Sequence, residues 1–174
     1  MIDTTENLPT LGSLHELAVD IGARLNAAGE NVCVSESSSG GLISAALLSV
    51  SGASAFYVGG TVVYTNSSRR ALLGMRRADV SGIAPMTPEM AAVFAAKTRA
   101  ILAADWAIAE LGATGPKGTP YGHDAGTAAI AVSGPQERSR LLTTGVRDRE
   151  ANMWSFAAAA LELLGNALDE KPVS

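Results

Sequence analysis

The sequence contains one cysteine, Cys33, among 174 residues. A lone cysteine excludes an internal disulfide and a cysteine-only metal cluster. Cys33 falls in a strand pattern, where a buried and unreactive thiol is expected. Histidine is almost as scarce. His15 lies in a helical pattern and His123 in a glycine-rich loop, and the sequence groups no partners around either that would make a histidine metal site. Charged residues make up 17% of the chain, against about a quarter in an average domain. The net charge of −4 argues against non-specific nucleic-acid binding. No apolar run reaches the length of a membrane span. The opening residues, MIDTTENLPTLGS, lack the basic and apolar regions of a signal peptide. With neither signal, a cytoplasmic location is the expectation, with no membrane and no nucleic acid among the partners.

Hydrophobic residues account for 47%, much of it alanine in helical stretches. That suits one domain with a real core and some buried subunit interface. Residues 1–10 read as a flexible polar arm, 11–166 as the single domain, and 167–174 as a frayed tail. Apolar residues recur at helical spacing from Leu11 to Ala28, with Gly29 as the stop. A short strand is predicted over Val32 to Glu36, a helix over 39–48, and a buried strand over 56–64 with Gly59-Gly60 inside it. Asn66 is read as the cap of a helix ending at Leu73, and Thr87-Pro88 as the start of another reaching about residue 104. Strands follow over 106–111, 127–132 and 139–144, the last two turning at Gly134-Pro135. Asp148 opens a final amphipathic helix through Leu164. The early alternation implies parallel crossover units and the hairpin an antiparallel strand, which gives a mixed sheet covered by helices on both faces.

The most informative stretch is VSESSSGG, from Val34 to Gly41. A strand ends in a tight loop that opens a helix. Unsatisfied backbone N–H groups at such a helix start welcome an anion or a developing oxyanion. A serine placed there can act as nucleophile, helix cap or phosphate ligand. A second glycine-rich stretch, GATGPKGTPYGHDAG over residues 112–126, also follows a strand, so both loops can face one pocket beyond the strand ends. Its Lys117-Gly118-Thr119 is not the Gly-Lys-Ser/Thr of a phosphate-binding P-loop, and no Rossmann fingerprint follows the first strand. A Ser37/His123/Asp124 triad is conceivable, although adjacent residues rarely orient one another in that geometry. Arg69, Arg70, Arg76 and Arg77 form the densest basic cluster. Most of it reads as a solvated helix face, but Tyr64 and Arg69 can reach one pocket from the strand-to-helix turn.

At these residues the chain resembles the C-terminal domain of the CinA family, the nicotinamide-nucleotide amidohydrolases. The family's Ala-Glu-Ser-Cys-Thr-Gly-Gly is met by Ser35-Glu36-Ser37-Ser38-Ser39-Gly40-Gly41, and its Pro-Gly-Ala-Ser by Ser51-Gly52-Ala53-Ser54. Its Gly-Gly-x-x-x-Tyr-x-Asn-x-x-Lys is met by residues 59–69, with Tyr64, Asn66 and Arg69 at the marked positions. Its Thr-Gly-Ile-Ala-Gly-Pro is met by Leu111-Gly112-Ala113-Thr114-Gly115-Pro116, and its Gly-Asp-Arg-Glu by Arg147-Asp148-Arg149-Glu150. The resemblance spans about residues 14–164, and the motifs occur in the family's order.

The resemblance implies a three-layer α/β/α sandwich with a mixed, mostly parallel sheet. It implies hydrolysis of the carboxamide of nicotinamide mononucleotide to nicotinate mononucleotide and ammonia, with no metal and no organic cofactor. It also implies a stand-alone form that assembles as a homo-oligomer, a dimer or higher. The family's catalytic positions fall on Ser37, Tyr64 and Arg69. Substrate contacts fall on Ser38, Ser39, Gly40 and Gly41, whose amides are expected to hold the oxyanion or phosphate, and on Asn66, Gly112, Thr114, Gly115 and Arg149. Two positions depart from the pattern. Arg69 replaces a lysine, and arginine stays protonated where a buried lysine can serve as base. Leu111 replaces a threonine and removes a hydroxyl, while Glu110 adds a carboxylate beside it. Two other readings therefore stand beside the deamidase: a nucleotide-binding or interaction domain that kept the scaffold, and a hydrolase of another amide or ester.

Overall fold

The computed structural model describes residues 10–170. Helix α1 (Leu11–Ala28) is capped by Thr10 and stopped by Gly29 in the left-handed conformation. Strand β1 (Val32–Glu36) leads to α2 (Leu42–Leu48), then to β2 (Tyr57–Val62) and α3 (Asn66–Leu73). A 3-10 turn at Arg77–Val80 precedes α4 (Pro88–Leu102). Strands β3 (Trp106–Ala113), β4 (Thr127–Ser133) and β5 (Arg138–Thr143) complete the sheet, and α5 (Arg149–Asp169) closes the chain.

The five strands lie in the order β2-β1-β3-β4-β5. Strand β1 pairs in parallel with β2 and β3, while β4 is antiparallel to both β3 and β5. Four strands thus run one way and β4 alone runs back. The strand-to-face alternation sorts the core in two. Val32, Val34, Trp106, Ile108, Ala128, Ile130 and Val132 face a layer that includes α1, α2 and α5. Cys33, Ala107, Ala109, Leu111, Ala129 and Ala131 face α4. Alanines on that second face allow α4 to pack closely on the sheet. The result is the expected three-layer sandwich. Among the described residues no helix is long and apolar enough to cross a membrane.

From β1 the chain moves to β2 on one side and later returns as β3 on the other. The carboxyl ends of β1 and β3 therefore flank a topological switch point, the usual place for a ligand in such sheets.

Several boundaries differ from the sequence reading, each for a local reason. Helix α2 starts at Leu42 rather than 39, because Gly40 and Gly41 adopt positive φ angles of 69° and 102° that no helix contains. The α3 cap is Thr65, whose hydroxyl accepts the Ser68 amide; Asn66 is the first helical residue. Strand β3 continues to Ala113, since Glu110, Leu111 and Gly112 pair with Ile130, Ala129 and Ala128. Helix α5 runs to Asp169, past the expected end at Leu164, with buried Ala167 holding its last turns. Thr10 belongs to the α1 cap rather than to a free arm, and residues 1–9 and 171–174 lie outside the described residues.

Trp106 fixes the hairpin end of the sheet. Its ring is fully buried and its indole N–H donates to Glu30 at 2.9 Å. A Cβ at Gly134 would come within 2.7 Å of that ring's Cδ2 and 2.9 Å of Cζ3. Gly134→Ala is expected to destabilise the fold by about 1–3 kcal/mol through overpacking, read as a lower urea midpoint at unchanged slope.

Candidate active site

The loop at residues 37–41 is held from below by two buried carboxylates. Glu36 is the last residue of β1. Its Oε1 accepts the Ser44 amide at 2.9 Å and the Ser44 hydroxyl at 2.6 Å. Its Oε2 accepts the Gly41 amide at 2.9 Å and the Ile43 amide at 3.1 Å. Gly41 brings no side chain to cap α2, so Glu36 supplies the acceptors and the negative charge that a helix start attracts. Glu110 reaches the same loop from β3. Its Oε2 accepts the amides of Ser37 at 3.1 Å and Ser39 at 2.8 Å, and its Oε1 takes the Ser38 hydroxyl. The Ser39 hydroxyl lies between the two acids, 2.9 Å from Glu36 Oε2 and 2.8 Å from Glu110 Oε2.

Burial pushes the Glu110 carboxyl above its ordinary range, and the four hydrogen bonds from Ser37, Ser38 and Ser39 pull it only part of the way back. One serine hydroxyl has one proton to give and bridges two acids, so its pull on Glu110 is shared and burial prevails. Gly112 makes room for this arrangement. A Cβ there would sit 2.8 Å from Glu110 Oε1 and 2.7 Å from the buried Phe156 ring.

The loop crosses the floor of a cavity of about 640 Å³. Ser37, Tyr64, Asn66, Arg69, Leu111 and Gly112 line its inner part. Ser37 is only 5% exposed; its amide is tied to Glu110, and its hydroxyl has no hydrogen-bond partner among the described residues. Arg69 is half-buried. Its Nε donates to the Val63 carbonyl at 3.1 Å, and its guanidinium stacks 5.3 Å from the Phe94 ring centre. Burial lowers the Arg69 pKa, while nearby Tyr121 and Glu110 draw it back up; the group stays a cation. The Tyr64 hydroxyl accepts from Arg149 Nη2 at 3.2 Å, and Arg149 Nη1 donates to the Gly115 carbonyl at 3.1 Å. The guanidinium bonded to Tyr64 is therefore Arg149, not Arg69.

Among the expected site residues, Ser37, Tyr64, Asn66, Arg69 and Gly112 meet in this cavity. The others do not line it. The hydroxyls of Ser38 and Ser39 turn down to the carboxylates. The amides of Ser37, Ser39 and Gly41 are spent on those carboxylates rather than open to an oxyanion or phosphate. Gly40 lines neither cavity, and Gly41 lines a separate one of about 470 Å³ beside β2. Thr114 is buried, with its carbonyl accepting from Asn152 at 2.8 Å. Arg149 bridges the Gly115 carbonyl and the Tyr64 hydroxyl. The conceivable triad does not form: His123 Nε2 lies 3.0 Å from the Pro85 carbonyl, and neither His123 nor Asp124 lines the Ser37 cavity.

Sequence reasoning missed the outer part of the cavity. Arg70, Arg76 and Arg77, read there as a solvated face, line it together with Phe94 and Tyr121. The signal was the cluster itself, four arginines within residues 69–77 with no acidic residue between them.

Glu110→Ala is expected to cost roughly 2–5 kcal/mol, because it strands the Ser37 and Ser39 amides in a dry interior. Glu110→Gln keeps an acceptor and is expected to stay folded. A carboxyl with a raised folded pKa favours folding below its ordinary value of 4.5 and loses that contribution as pH rises through the raised value. The wild-type melting temperature is therefore expected to fall as pH rises from the ordinary carboxylate range through the raised value, and Glu110→Gln to flatten that slope.

Comparison with known proteins gives one consistent answer. The CinA-like protein of Anaeromyxobacter dehalogenans is 33% identical over 153 residues, which take in 88% of this chain and 38% of that protein. The CinA-like protein of Shewanella denitrificans is 33% identical over 158 residues, 90% of this chain and 37% of that one. The chain thus spans under two fifths of the length of these curated relatives. The competence/damage-inducible protein CihA of Agrobacterium tumefaciens superposes with a TM-score of 0.82 at 27% identity, over 95% of this chain and all of that one. Competence damage-inducible protein A of Klebsiella pneumoniae gives 0.83 at 27%, over 90% and 98%. The family model for the CinA C-terminal domain matches residues 14–168, nearly the whole described fold and every element of the cavity, and the chain belongs to that family.

Proposed function

We propose that the Ser37 cavity hydrolyses the carboxamide of nicotinamide mononucleotide to nicotinate mononucleotide and ammonia. The observation that carries this reading is Ser37 itself, whose backbone is tied down by Glu110 while its hydroxyl is free at the floor of a cation-rich cavity. A nucleophile needs that combination of fixed position and open approach.

The Ser37 oxygen attacks the carboxamide carbon. Its proton passes to the Tyr64 oxygen as the Tyr64 proton passes to the amide nitrogen, which leaves as ammonia. Water then attacks the acyl carbon, returns a proton through Tyr64 to Ser37, and releases the carboxylic acid. Arg69 stays protonated and stabilises the oxyanion that forms in both steps. Its Phe94 stack and Val63 bond fix its direction. Arg149 holds the Tyr64 hydroxyl in place. The apolar wall of Met75, Met90 and Phe94 suits a pyridine ring. A binding-only reading is favoured by one feature: the cavity lining contains no lysine, histidine or carboxylate to act as a separate base.

Ammonia release from nicotinamide mononucleotide decides between them. Ser37→Ala is expected to lower kcat/KM by at least about 10³-fold and Tyr64→Phe by about 10²-fold, with the circular dichroism of both variants unchanged. A folded Ser37→Ala protein as active as wild type removes Ser37 as nucleophile. A folded wild type that is stabilised by the nucleotide but releases no ammonia overturns the deamidase, and a panel of other amides and esters then separates a binding domain from a hydrolase of another substrate.

A further inference from the structure

The outer part of the cavity has more positive charge than one phosphate monoester can neutralise. Arg69 and Arg70 come from α3. Gly74 ends that helix with a left-handed φ of 55°, and the chain returns Arg76 and Arg77 to the same cavity. The lining therefore carries four guanidiniums and no aspartate or glutamate. The acid closest to them in sequence is already engaged. Asp79 Oδ2 binds the Lys97 ammonium at 2.7 Å and the Arg76 amide at 2.7 Å, which leaves the Arg76 guanidinium 4.0 Å from Asp79 Oδ1 and 79% exposed. Arg70 and Arg77 make no ion pair among the described residues.

Like charges that converge without acids repel one another, and a cavity focuses their field. In a chain of net charge −4 this is a local excess, directed at one opening. A phosphate monoester carries about −2 and pairs with two guanidiniums; with Arg69 at the reacting end, the three that remain exceed one such group and leave a cation for a further phosphate. A volume of about 640 Å³ lies well inside the range that holds a ligand of that size.

From this we infer that Arg70, Arg76 and Arg77 form a subsite for a second phosphate, so that the preferred ligand is a nucleotide bearing at least two phosphate groups. The inference rests on the reading of the cavity as a nucleotide site and extends it from a mononucleotide to a more highly phosphorylated one. Arg69, beside Ser37, serves the reacting end; the other three serve the far end.

Titration calorimetry on the full chain, with inorganic pyrophosphate and inorganic phosphate as the probes, tests the subsite without asking for turnover. Pyrophosphate is expected to bind at least about ten-fold more tightly than phosphate. The Arg76→Ala/Arg77→Ala double variant is expected to lose that preference, and Arg70→Ala to lose part of it. Equal affinity for the two anions, or a preference that survives in the double variant, overturns the subsite. Ammonia release, measured on the same preparations, reports the hydrolytic reading separately. A wild type that prefers pyrophosphate but releases no ammonia keeps the subsite and loses the hydrolase. One that releases ammonia without the preference does the reverse.

Discussion

Two acids under one loop organise everything above them. Glu36 closes β1 and Glu110 sits within β3, so the sheet sets their positions before any loop atom is placed. Between them they take the amides of Ser37, Ser39, Gly41, Ile43 and Ser44. A tight turn at the start of a helix would otherwise leave such donors unpaired in a dry interior, at about 1–3 kcal/mol each. With them paired, the turn has one conformation. Ser37 is then the residue whose amide is fixed and whose hydroxyl remains open, and the position of the cavity follows from that.

The same arrangement changes how the loop can act on a ligand. A glycine-rich strand-to-helix turn usually offers its amides to an anion. Here the acceptors are built in, as two side chains. Three of the loop's amides are thereby taken, those of Ser38 and Gly40 have no acceptor among the described residues, and the cationic side chains that can meet a ligand's charge lie on the opposite wall. That wall is the α3 segment and the turn after it, which supply Arg69, Arg70, Arg76 and Arg77. The division is physical: the Ser37 hydroxyl on the acid-pinned side, cationic side chains on the arginine side, with Met75, Met90 and Phe94 also in the lining.

Much of the fold was legible because period and punctuation agreed. Gly29 stopped α1, Thr87-Pro88 started α4, and the strand expected over 127–132 forms as β4. Ser37, Tyr64, Asn66 and Arg69, which the motifs single out, line one cavity. What the sequence hid was direction. Ser38 and Ser39 lie next to Ser37 in the chain, yet their hydroxyls turn into the core because carboxylates lie there. Glu110 gave no sign of facing inward, since a strand residue's side depends on register, and the register here is set by pairing with Ile130. The arginines read as surface because Gly74 reverses the chain between them, which a helical projection does not anticipate.

The proton's route is the step where the proposed reaction departs from the family pattern, because position 69 holds arginine in place of lysine. A lysine at position 69 can surrender a proton when burial lowers its pKa far enough; arginine cannot, even with its pKa lowered as it is here. The cation at that position is thus permanent, and it is better suited to hold an oxyanion than to remove a proton. The proton must then move through a hydroxyl. Tyr64 is the lining tyrosine whose hydroxyl is held, by Arg149, which is itself anchored on the Gly115 carbonyl. Tyr121, 60% exposed, makes no hydrogen bond among the described residues. A relay needs its donor and acceptor in fixed positions, because misplacement by about an ångström costs orders of magnitude in rate. In the proposed reaction Arg149 is therefore a positioning residue for Tyr64 that does not line the cavity, and a substitution there is expected to lower kcat before it raises KM.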